Sequence, residues 1–367
     1  MATQSLALGS GLNRPAADGG LGAWRSYHLH YHADLDLLLA ELVRPLVSEL
    51  LGDGVADRFY FVRYGLGGPH LRLRLRWTAE PAPAAVAAAA AEFFRRHPSR
   101  DSLPSEVVLR RNRPLLRIDP TAEEDDDRAL PDNSLREAPP RFEVERYGGA
   151  DRFVESLDLF ALSSACVLLL LGGGRERLSA GLRLNRAFTT VGALAWGLAE
   201  DEGDFFDLAG YAEQFMGEPF AHCSAEADRV FERQAEPLVG LLRRSLAAPA
   251  DAGDPRAALA EGGRRLAAEL AGLAPDARWY VAASHLHMTL NRLGTLNAEE
   301  VYAGRLLWRA AGELRRRDAA SWRAAWAARP PRRRPDETGV AALLPALFAR
   351  LAEPAAADAR CAEACAR

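Results

Sequence analysis

Residues 70–77 read His70-Leu71-Arg72-Leu73-Arg74-Leu75-Arg76-Trp77, the most regular pattern in the chain. Apolar and cationic residues alternate without exception, which is the period of a β-strand with two different faces. The leucines and Trp77 fall on one face, which predicts contact with a core, and His70 and the arginines fall on the other. Such a cationic face is more often solvated. If it is covered, three guanidiniums need an anion, and a carboxylate matches their planar donor geometry.

Further elements of the first half follow on both sides of this strand. Two more strands are predicted over Trp24–His32 and Arg58–Tyr64, and a helix is predicted between them over Asp34–Leu51. Downstream, an Ala-rich helix is predicted over Pro81–Arg96, and a strand or pair of strands over Glu106–Ile118. The first half is therefore expected to mix helices and strands.

Apolar residues recur at helical spacing in the second half, and this pattern predicts a mainly helical region. The helices are expected over Asp151–Leu171, Leu178–Leu198, Glu226–Leu246, Arg256–Leu273, Asp276–Leu293 and Ala298–Arg317. Gly294 is predicted to end the fifth helix, and Asn297 with Glu300 to cap the sixth. The predicted fold class is α+β, with a mixed or antiparallel sheet in the N-terminal half packed with a mainly helical C-terminal half.

The domain organisation is predicted from shifts in composition. Residues 1–22 lack periodicity and are expected to form a flexible tail. Residues 23–317 are expected to form one domain, in which the acidic stretch 121–140 is a solvated loop insertion. Residues 318–367 are interpreted as a basic linker and an Ala-rich C-terminal extension.

The composition excludes several classes of function. The 367 residues include 46 basic and 50 acidic side chains, which give a net charge of −4, so the whole molecule is not an electrostatic binder of nucleic acid or membrane. All the basic residues are arginine, so lysine chemistry such as a Schiff base or a P-loop lysine is unavailable.

The cysteines and the apolar runs bear on the compartment. Cys166, Cys223, Cys361 and Cys365 are sparse and unpatterned, which favours a reduced, cytoplasmic protein without disulfides. The longest apolar run, Ala161–Leu171, is well short of the roughly 20 residues that cross a bilayer, so no membrane contact is expected.

Two further segments are candidates for a functional site. Residues 142–149 form a charged stretch that ends in two glycines, so it is either a strand end with a turn or a site segment in which Glu143 and Arg146 pair with the strand arginines. In the helix 276–293, five residues share a stripe that is neither charged nor plainly apolar: Tyr280, Ser284, His287, Met288 and Asn291. That stripe is either core with a hydrogen-bonded histidine or part of a site.

His28, His30 and His32 would share one face of the first strand, where a metal site is conceivable. No carboxylate or cysteine lies near them at ligand spacing, so the sequence predicts no metal site. No organic cofactor is expected either.

Five segments, in this order, resemble the thiopeptide-type bacteriocin biosynthesis domain, which is also the C-terminal elimination part of class I lantibiotic dehydratases. They are Trp24-Arg25-Ser26-Tyr27, Phe61-Val62-Arg63-Tyr64, His70 to Arg74, Glu143 to Gly149, and His287-Met288-Thr289-Leu290-Asn291-Arg292. The resemblance covers about residues 24–317. It implies the fold of the elimination domain and work on a ribosomally made precursor peptide, both its leader and its core.

The resemblance also implies roles for individual residues. The family's elimination residues fall on Arg72, Arg74, Glu143, Arg146 and His287. The arginines would bind the carboxylates of a leaving glutamate, Glu143 would orient an arginine, and His287 would transfer protons. Substrate contacts are expected from His70, Tyr280, Ser284, Asn291 and Arg292.

Three functions remain open at this point. The first is elimination of glutamate from glutamylated Ser or Thr, which gives dehydroalanine or dehydrobutyrine and requires a separate tRNA-dependent glutamylating subunit, without direct contact of this chain with nucleic acid. The second is a pyridine synthase that joins two dehydroalanines in a formal aza-[4+2] cycloaddition with loss of the leader. The third is a non-catalytic relative that binds the leader peptide.

Overall fold

A computed structural model describes residues 21–100, 128–172, 179–247, 254–331 and 339–353, together with residues 107 and 110. Within these residues four strands form one antiparallel sheet in the order β2-β3-β1-β4. The strands are β1 (Trp24–His30), β2 (Ala56–Tyr64), β3 (His70–Trp77) and β4 (Ser134–Ala138). The alternating stretch 70–77 is strand β3 over its full predicted length.

The helices fall into a small N-terminal set and a large C-terminal set. The first set comprises α1 (Leu35–Leu38), which continues through a π-helical turn (Leu39–Val43) into α2 (Arg44–Gly52), and α3 (Pro83–Arg96). The second set comprises α4 (Ala150–Leu171), α5 (Ala180–Leu198), α6 (Glu202–Ala209), α7 (Tyr211–Met216), α8 (Ala221–Ala247), α9 (Pro255–Glu269), α10 (Pro275–Leu293), α11 (Asn297–Arg317), α12 (Ala319–Ala327) and α13 (Leu344–Leu351). The α+β class predicted from the sequence is confirmed.

The prediction of a solvated loop over residues 121–140 is wrong at its C-terminal end. Residues 134–138 form β4, which pairs with the outer edge of β1. The strand is short and carries Arg136 and Glu137, as edge strands often do, so its sequence resembles that of a loop. Residues 111–127, and with them most of the strand predicted over Glu106–Ile118, lie outside the described residues; of that stretch only residues 107 and 110 are described, and both are helical.

The two faces of the sheet differ as the alternation of β3 predicts. The register places Leu73 opposite Tyr27 and Phe61, and these side chains form an apolar face that is fully buried. On this side α2 contacts β2, and Phe348 of α13 lies with its ring 5.6 Å from that of Phe59. The opposite face carries the histidines and arginines and is turned toward α4 and α10.

Helix α4 is the central helix of the second half. It packs against β2, α9, α10 and α13. By length and composition its residues Arg152–Leu171 would suffice to cross a membrane, but 89% of that apolar window is buried inside the protein. Its hydrophobic surface is therefore used by the protein core, as in the central helix of a large domain.

A buried ion-pair network joins the two halves of the molecule. Asp36 of α1 accepts hydrogen bonds from Arg63 of β2 at 2.5 Å and from Arg183 of α5 at 2.6 Å. Arg183 also donates to the carbonyl of Leu293 at 2.7 Å, next to Gly294, whose positive φ of 83° ends α10 as predicted. The network fixes α10 relative to the sheet.

The chain beyond residue 317 packs on the same body as far as the structure describes it. Trp322 of α12 is buried between Trp196 and Phe205, with ring centroids 6.0 Å from each. Arg44 of α2 donates to the carbonyl of Leu351 at 3.2 Å. The predicted domain boundary at residue 317 stays a prediction.

Candidate functional site

Strand β3 places Arg72 and Arg74 on the covered face of the sheet. Arg72 is 3% exposed and Arg74 is 9% exposed, so the interpretation of this face as solvated is wrong. The second half of the chain is the reason, because α4 and α10 contact the sheet through β2 and Phe142 lies over Arg74. The sequence pattern defines the face but not what covers it.

Arg74 has an unusual environment for a buried cation. Its guanidinium lies near two aromatic rings, 5.4 Å from the centroid of Tyr60 and 5.4 Å from that of Phe142. Nη1 donates to the Tyr60 hydroxyl at 2.5 Å, while Nε is buried and has no hydrogen-bond partner in the part of the chain that the structure describes. No carboxylate among the described residues pairs with Arg74. A buried charge is costly unless it is paired, so the arrangement suits an anionic ligand.

Arg72 belongs to the same face but has protein partners. Its guanidinium stacks 3.4 Å from the centroid of the Tyr64 ring, and Nε donates to Nε2 of His70 at 3.2 Å. Since Nε2 of His70 accepts this bond, its Nδ1 carries the proton and donates to the carbonyl of Gly68 at 2.9 Å. Burial lowers the pKa of His70 well below its usual range, which agrees with a neutral ring.

The histidines of this face form a cluster different from the predicted one. The ring nitrogens of His28, His30 and His70 lie within 4.8 Å of one another, so His70 takes the place expected for His32. Burial, followed by the charge of Arg72, lowers the pKa of His28 to about 2, and burial lowers that of His30 to about 4.

The cluster fits a metal poorly despite its neutral rings. The Nε2 lone pair of His70 that would bind a metal accepts a hydrogen bond from Arg72. The rings of His28 and His70 are stacked with centroids 5.3 Å apart, whereas metal ligands converge on one point. What the cluster does in this structure is to bond Arg72 through His70.

The segment 142–149 forms a single turn of 3₁₀-helix, Val144–Tyr147, so the prediction of a strand end is wrong. The two glycines that follow have φ of 89° and 87°, a conformation that favours glycine and that turns the chain into α4. Glu143 pairs with Arg146 of its own turn at 3.1 Å and not with the strand arginines.

Arg146 links this turn to α10. Its Nη1 bonds the carboxylate of Glu143 and its Nε donates to the Oγ of Ser284 at 3.0 Å. Burial opposes the charge, but Tyr147, Glu143 and Tyr280 together raise the pKa of Arg146 above its ordinary value. Arg146 is therefore held charged and in one orientation.

The stripe predicted on α10 meets this arginine. Ser284 is fully buried, while Tyr280 and His287 are partly exposed on the same side of the helix. Phe215 of α7 lies against the stripe, with ring centroids 5.9 Å from Tyr280 and 5.7 Å from His287, and the Arg146 guanidinium lies 5.7 Å from the same ring. The turn at residues 143–146 and the middle of α10 thus form one continuous site.

Asn291 and Arg292 join α10 to strand β2. The Asn291 side chain accepts from the backbone N–H of Arg63 and donates to its carbonyl, both at 3.0 Å. Arg292 is wholly buried, donates from Nε to the carbonyl of Phe61 at 2.9 Å, and lies 4.8 Å from the ring of Phe160. Burial lowers the pKa of Arg292 to about 10. A substrate contact by either residue stays a prediction.

Several residues of the site are absent from the prediction, and Glu300 is the most important. It was assigned to a cap pair with Asn297, but the N–H of Leu296 donates to Glu299 instead, at 2.9 Å. Glu300 is 1% exposed, and its Oε2 lies 3.0 Å from Nδ1 of His287. Acidic residues are common in the first turn of helices, so the sequence contained no signal for this contact. Tyr60, in contrast, lies opposite Arg74 on the polar face of β2, so the alternating pattern of the strands could have indicated it.

The fold and the site together define a class: an antiparallel sheet with buried arginines facing a helical half that supplies a histidine and an arginine–glutamate turn. The chain belongs to the family of the lantibiotic biosynthesis dehydratase C-terminal domain, whose model matches residues 24–311. This membership associates the chain with the modification of ribosomally made peptides.

Solved structures share the fold. The pyridine synthase TbtD from thiomuracin biosynthesis aligns with a TM-score of 0.66 and 21% identity over 80% of this chain and 98% of TbtD. The tRNA-dependent lantibiotic dehydratase MibB from Microbispora sp. 107891 aligns with a TM-score of 0.50 and 20% identity over 83% of this chain and 29% of MibB. TsrL aligns with a TM-score of 0.51 and 18% identity over 84% of this chain and 99% of TsrL. No curated protein sequence matches the chain.

Proposed function

We propose that the protein eliminates glutamate from glutamylated Ser or Thr residues of a ribosomally made precursor peptide, which leaves dehydroalanine or dehydrobutyrine. The observation that carries the proposal is the buried guanidinium of Arg74, which has no carboxylate partner among the described residues and an unused Nε donor. Glutamate, esterified to the peptide through one carboxyl, retains another that matches this guanidinium.

The reaction requires three things of the site. A base removes the Cα proton of the esterified residue, the electron pair forms the Cα–Cβ double bond, and the Cβ–O bond breaks so that glutamate leaves as a carboxylate. Negative charge develops on the peptide carbonyl during proton removal and on the leaving group during bond cleavage. Charged donors that are already oriented stabilise both.

The residues of the site are assigned accordingly. Arg74 and Arg72 bind the carboxylates of glutamate, and Arg146 stabilises the developing charge near α10. Glu143 and Ser284 orient Arg146 through their bonds at 3.1 Å and 3.0 Å. His287, with a side chain that is 21% exposed, transfers the proton.

A separate subunit would supply the glutamylated peptide. The match to the tRNA-dependent dehydratase MibB covers 29% of that protein, so most of MibB has no counterpart in the matched part of this chain. We propose that a tRNA-dependent glutamylating protein acts first on the same precursor peptide, in the cytoplasm, and that this chain does not contact the tRNA.

A second candidate function is that of a pyridine synthase, which joins two dehydroalanines and releases the leader. The match to TbtD supports it, since this chain covers 98% of that enzyme. Tyr280 and Ser284 beside His287 would suit the orientation of amides in such a reaction. Arg74, which has no carboxylate partner among the described residues, favours elimination, because a substrate that has already lost glutamate has less use for such a guanidinium.

The two functions are separated by two substrates. The protein is incubated with a glutamylated precursor peptide and, separately, with a precursor that already contains dehydroalanines, and the product masses are measured. Loss of glutamate from the first supports elimination. A ring product with leader loss from the second overturns it in favour of the synthase, and binding of the leader without any reaction supports a peptide-binding relative.

Two variants test the assigned residues in the same assay. Arg72→Ala and His287→Ala should abolish glutamate loss while circular dichroism shows an intact fold. Full activity in either variant would remove that residue from the reaction.

A further inference from the structure

Glu300 is a buried carboxylate that contacts the Nδ1 side of the His287 ring. It lies in the first turn of α11 and is 1% exposed. Its Oε2 accepts a hydrogen bond from the hydroxyl of Tyr211 at 3.0 Å and lies 3.0 Å from Nδ1 of His287. Its Oε1 is buried and has no hydrogen-bond partner among the described residues. Within the described residues the carboxylate thus has two hydrogen-bond partners, Tyr211 and His287, both on the same oxygen.

Of these two partners only His287 can carry a positive charge. Among the described residues no arginine pairs with Glu300, whereas Asp36 is held by Arg63 and Arg183. Burial and, after it, the charge of Glu300 raise the pKa of Tyr211 well above its ordinary value, so its phenol stays a neutral donor. Since a buried carboxylate without a cation is costly, Glu300 depends on the hydrogen bonds from Tyr211 and His287.

The geometry also fixes which ring nitrogen carries the proton. A carboxylate accepts hydrogen bonds and donates none, so Nδ1 of His287 must be the donor. The other nitrogen, Nε2, has no hydrogen-bond partner among the described residues, and the side chain is 21% exposed. Its lone pair is therefore available on the side away from Glu300.

We infer that Glu300 is a positioning residue for His287: it keeps the proton on Nδ1, leaves Nε2 free to take the Cα proton of the substrate, and stabilises the imidazolium that results. This inference rests on the proposed function. The logic is that of a carboxylate behind a histidine base, where the carboxylate sets the tautomer and is not itself protonated. Tyr211 contributes by fixing the orientation of the carboxylate.

The test combines ¹⁵N NMR of the full-length protein, labelled at its histidine rings, with rates of glutamate loss. The wild-type spectrum is expected to show the Nδ1–H form of His287, assigned by its absence in His287→Ala. Glu300→Gln should populate the Nε2–H form and lower kcat about 100-fold with KM within about twofold. Glu299→Gln, which removes the same charge one residue earlier, should leave the His287 signals and kcat unchanged.

A second variant separates positioning from packing. Tyr211→Phe removes one donor to Glu300 but keeps the carboxylate, so it should retain the Nδ1–H form and kcat within about threefold. A wild-type spectrum with the proton on Nε2 would overturn the inference even if Glu300→Gln does not fold. A folded Glu300→Gln protein with unchanged tautomer and kcat would also overturn it. If the wild-type protein releases no glutamate, the proposed function fails, and the tautomer measurements still decide whether Glu300 positions His287.

Discussion

Nε of Arg146 donates a hydrogen bond to Oγ of Ser284 at 3.0 Å, and this contact joins the turn after β4 to the middle of α10. The two residues are 138 positions apart in the chain. The bond places a charged guanidinium on the stripe that carries His287. It therefore sets the position of the arginine relative to the histidine.

Removing the serine hydroxyl should loosen Arg146. Ser284→Ala is expected to lower kcat/KM for glutamate loss about tenfold, because one bond to a charged donor contributes about 1.5 kcal/mol. Ser163→Ala is the control, since Ser163 is also buried but donates to the carbonyl of Phe160 within its own helix. Equal effects of the two substitutions on kcat/KM would contradict a specific role for Ser284.

Arg74 is expected to require a guanidinium rather than any positive charge. Arg74→Lys should lower the rate of glutamate loss about 100-fold, since the planar arrangement of donors on a carboxylate is lost. Arg76→Lys tests the same change two residues along β3, where the side chain bonds Asp57 at 2.7 Å and 2.6 Å. Its rate should stay within about twofold of wild type, and a fully active Arg74→Lys enzyme would refute the carboxylate-binding role.

The buried histidines make stability depend on pH. In the folded protein burial lowers the pKa of His28 to about 2 and that of His30 to about 4, and it lowers those of His70 and His285 well below the ordinary value. In the unfolded chain these rings bind protons near pH 6.5. The contribution of these neutral rings to the free energy of unfolding is therefore fully present above pH 6.5, and it falls as the pH is lowered toward 4.

Urea denaturation at pH 7, 6 and 5 measures this effect. Each histidine that is protonated only when unfolded contributes a slope of about 1.4 kcal/mol per pH unit below pH 6.5. His28→Gln should remove the contribution of one histidine, about 1.4 kcal/mol per pH unit, from this slope. A free energy of unfolding that stays constant or rises as the pH is lowered from 7 to 5 would show that these rings are not held neutral.

The ion pairs of Asp36 should dominate the stability of the joint between the two halves. Asp36→Asn leaves Arg63 and Arg183 without a buried counter-charge, and should lower the free energy of unfolding by about 3 kcal/mol or more. Asp57→Asn, whose carboxylate side chain is 39% exposed beside Arg76, should cost less than about 1 kcal/mol. Thermal and urea unfolding of both variants provide the comparison, and a similar loss in both would contradict the role given to burial.

The sequence predicted the strands and long helices well because their patterns are local. The alternation of residues 70–77 determines strand β3. Gly294 ends α10 because the residue after the helix has a positive φ, which favours glycine. Strand β4 was missed because five residues at a sheet edge owe their structure to pairing with β1. Long-range pairing is not encoded in local periodicity.

The candidate site was predicted only in part for the same reason. Arg72 and Arg74 are candidates from the sequence, but their burial depends on how the helical half packs on the sheet. The interpretation in which Glu143 pairs with the strand arginines is wrong because the chain turns into a 3₁₀-helix that brings Arg146 back to it. Glu300 could not be found at all, since its contact with His287 joins two helices whose relative position only the fold determines.

The most direct test of the central claim is to quantify free glutamate and dehydroamino acid together. A synthetic precursor peptide carrying one glutamyl ester on serine is incubated with the purified protein, and both products are measured by mass spectrometry. One glutamate should be released for each dehydroalanine formed, and Arg74→Lys should form both products about 100-fold more slowly. A peptide that keeps its glutamyl ester in the presence of folded protein, or glutamate release that regenerates serine by hydrolysis, would contradict the central claim.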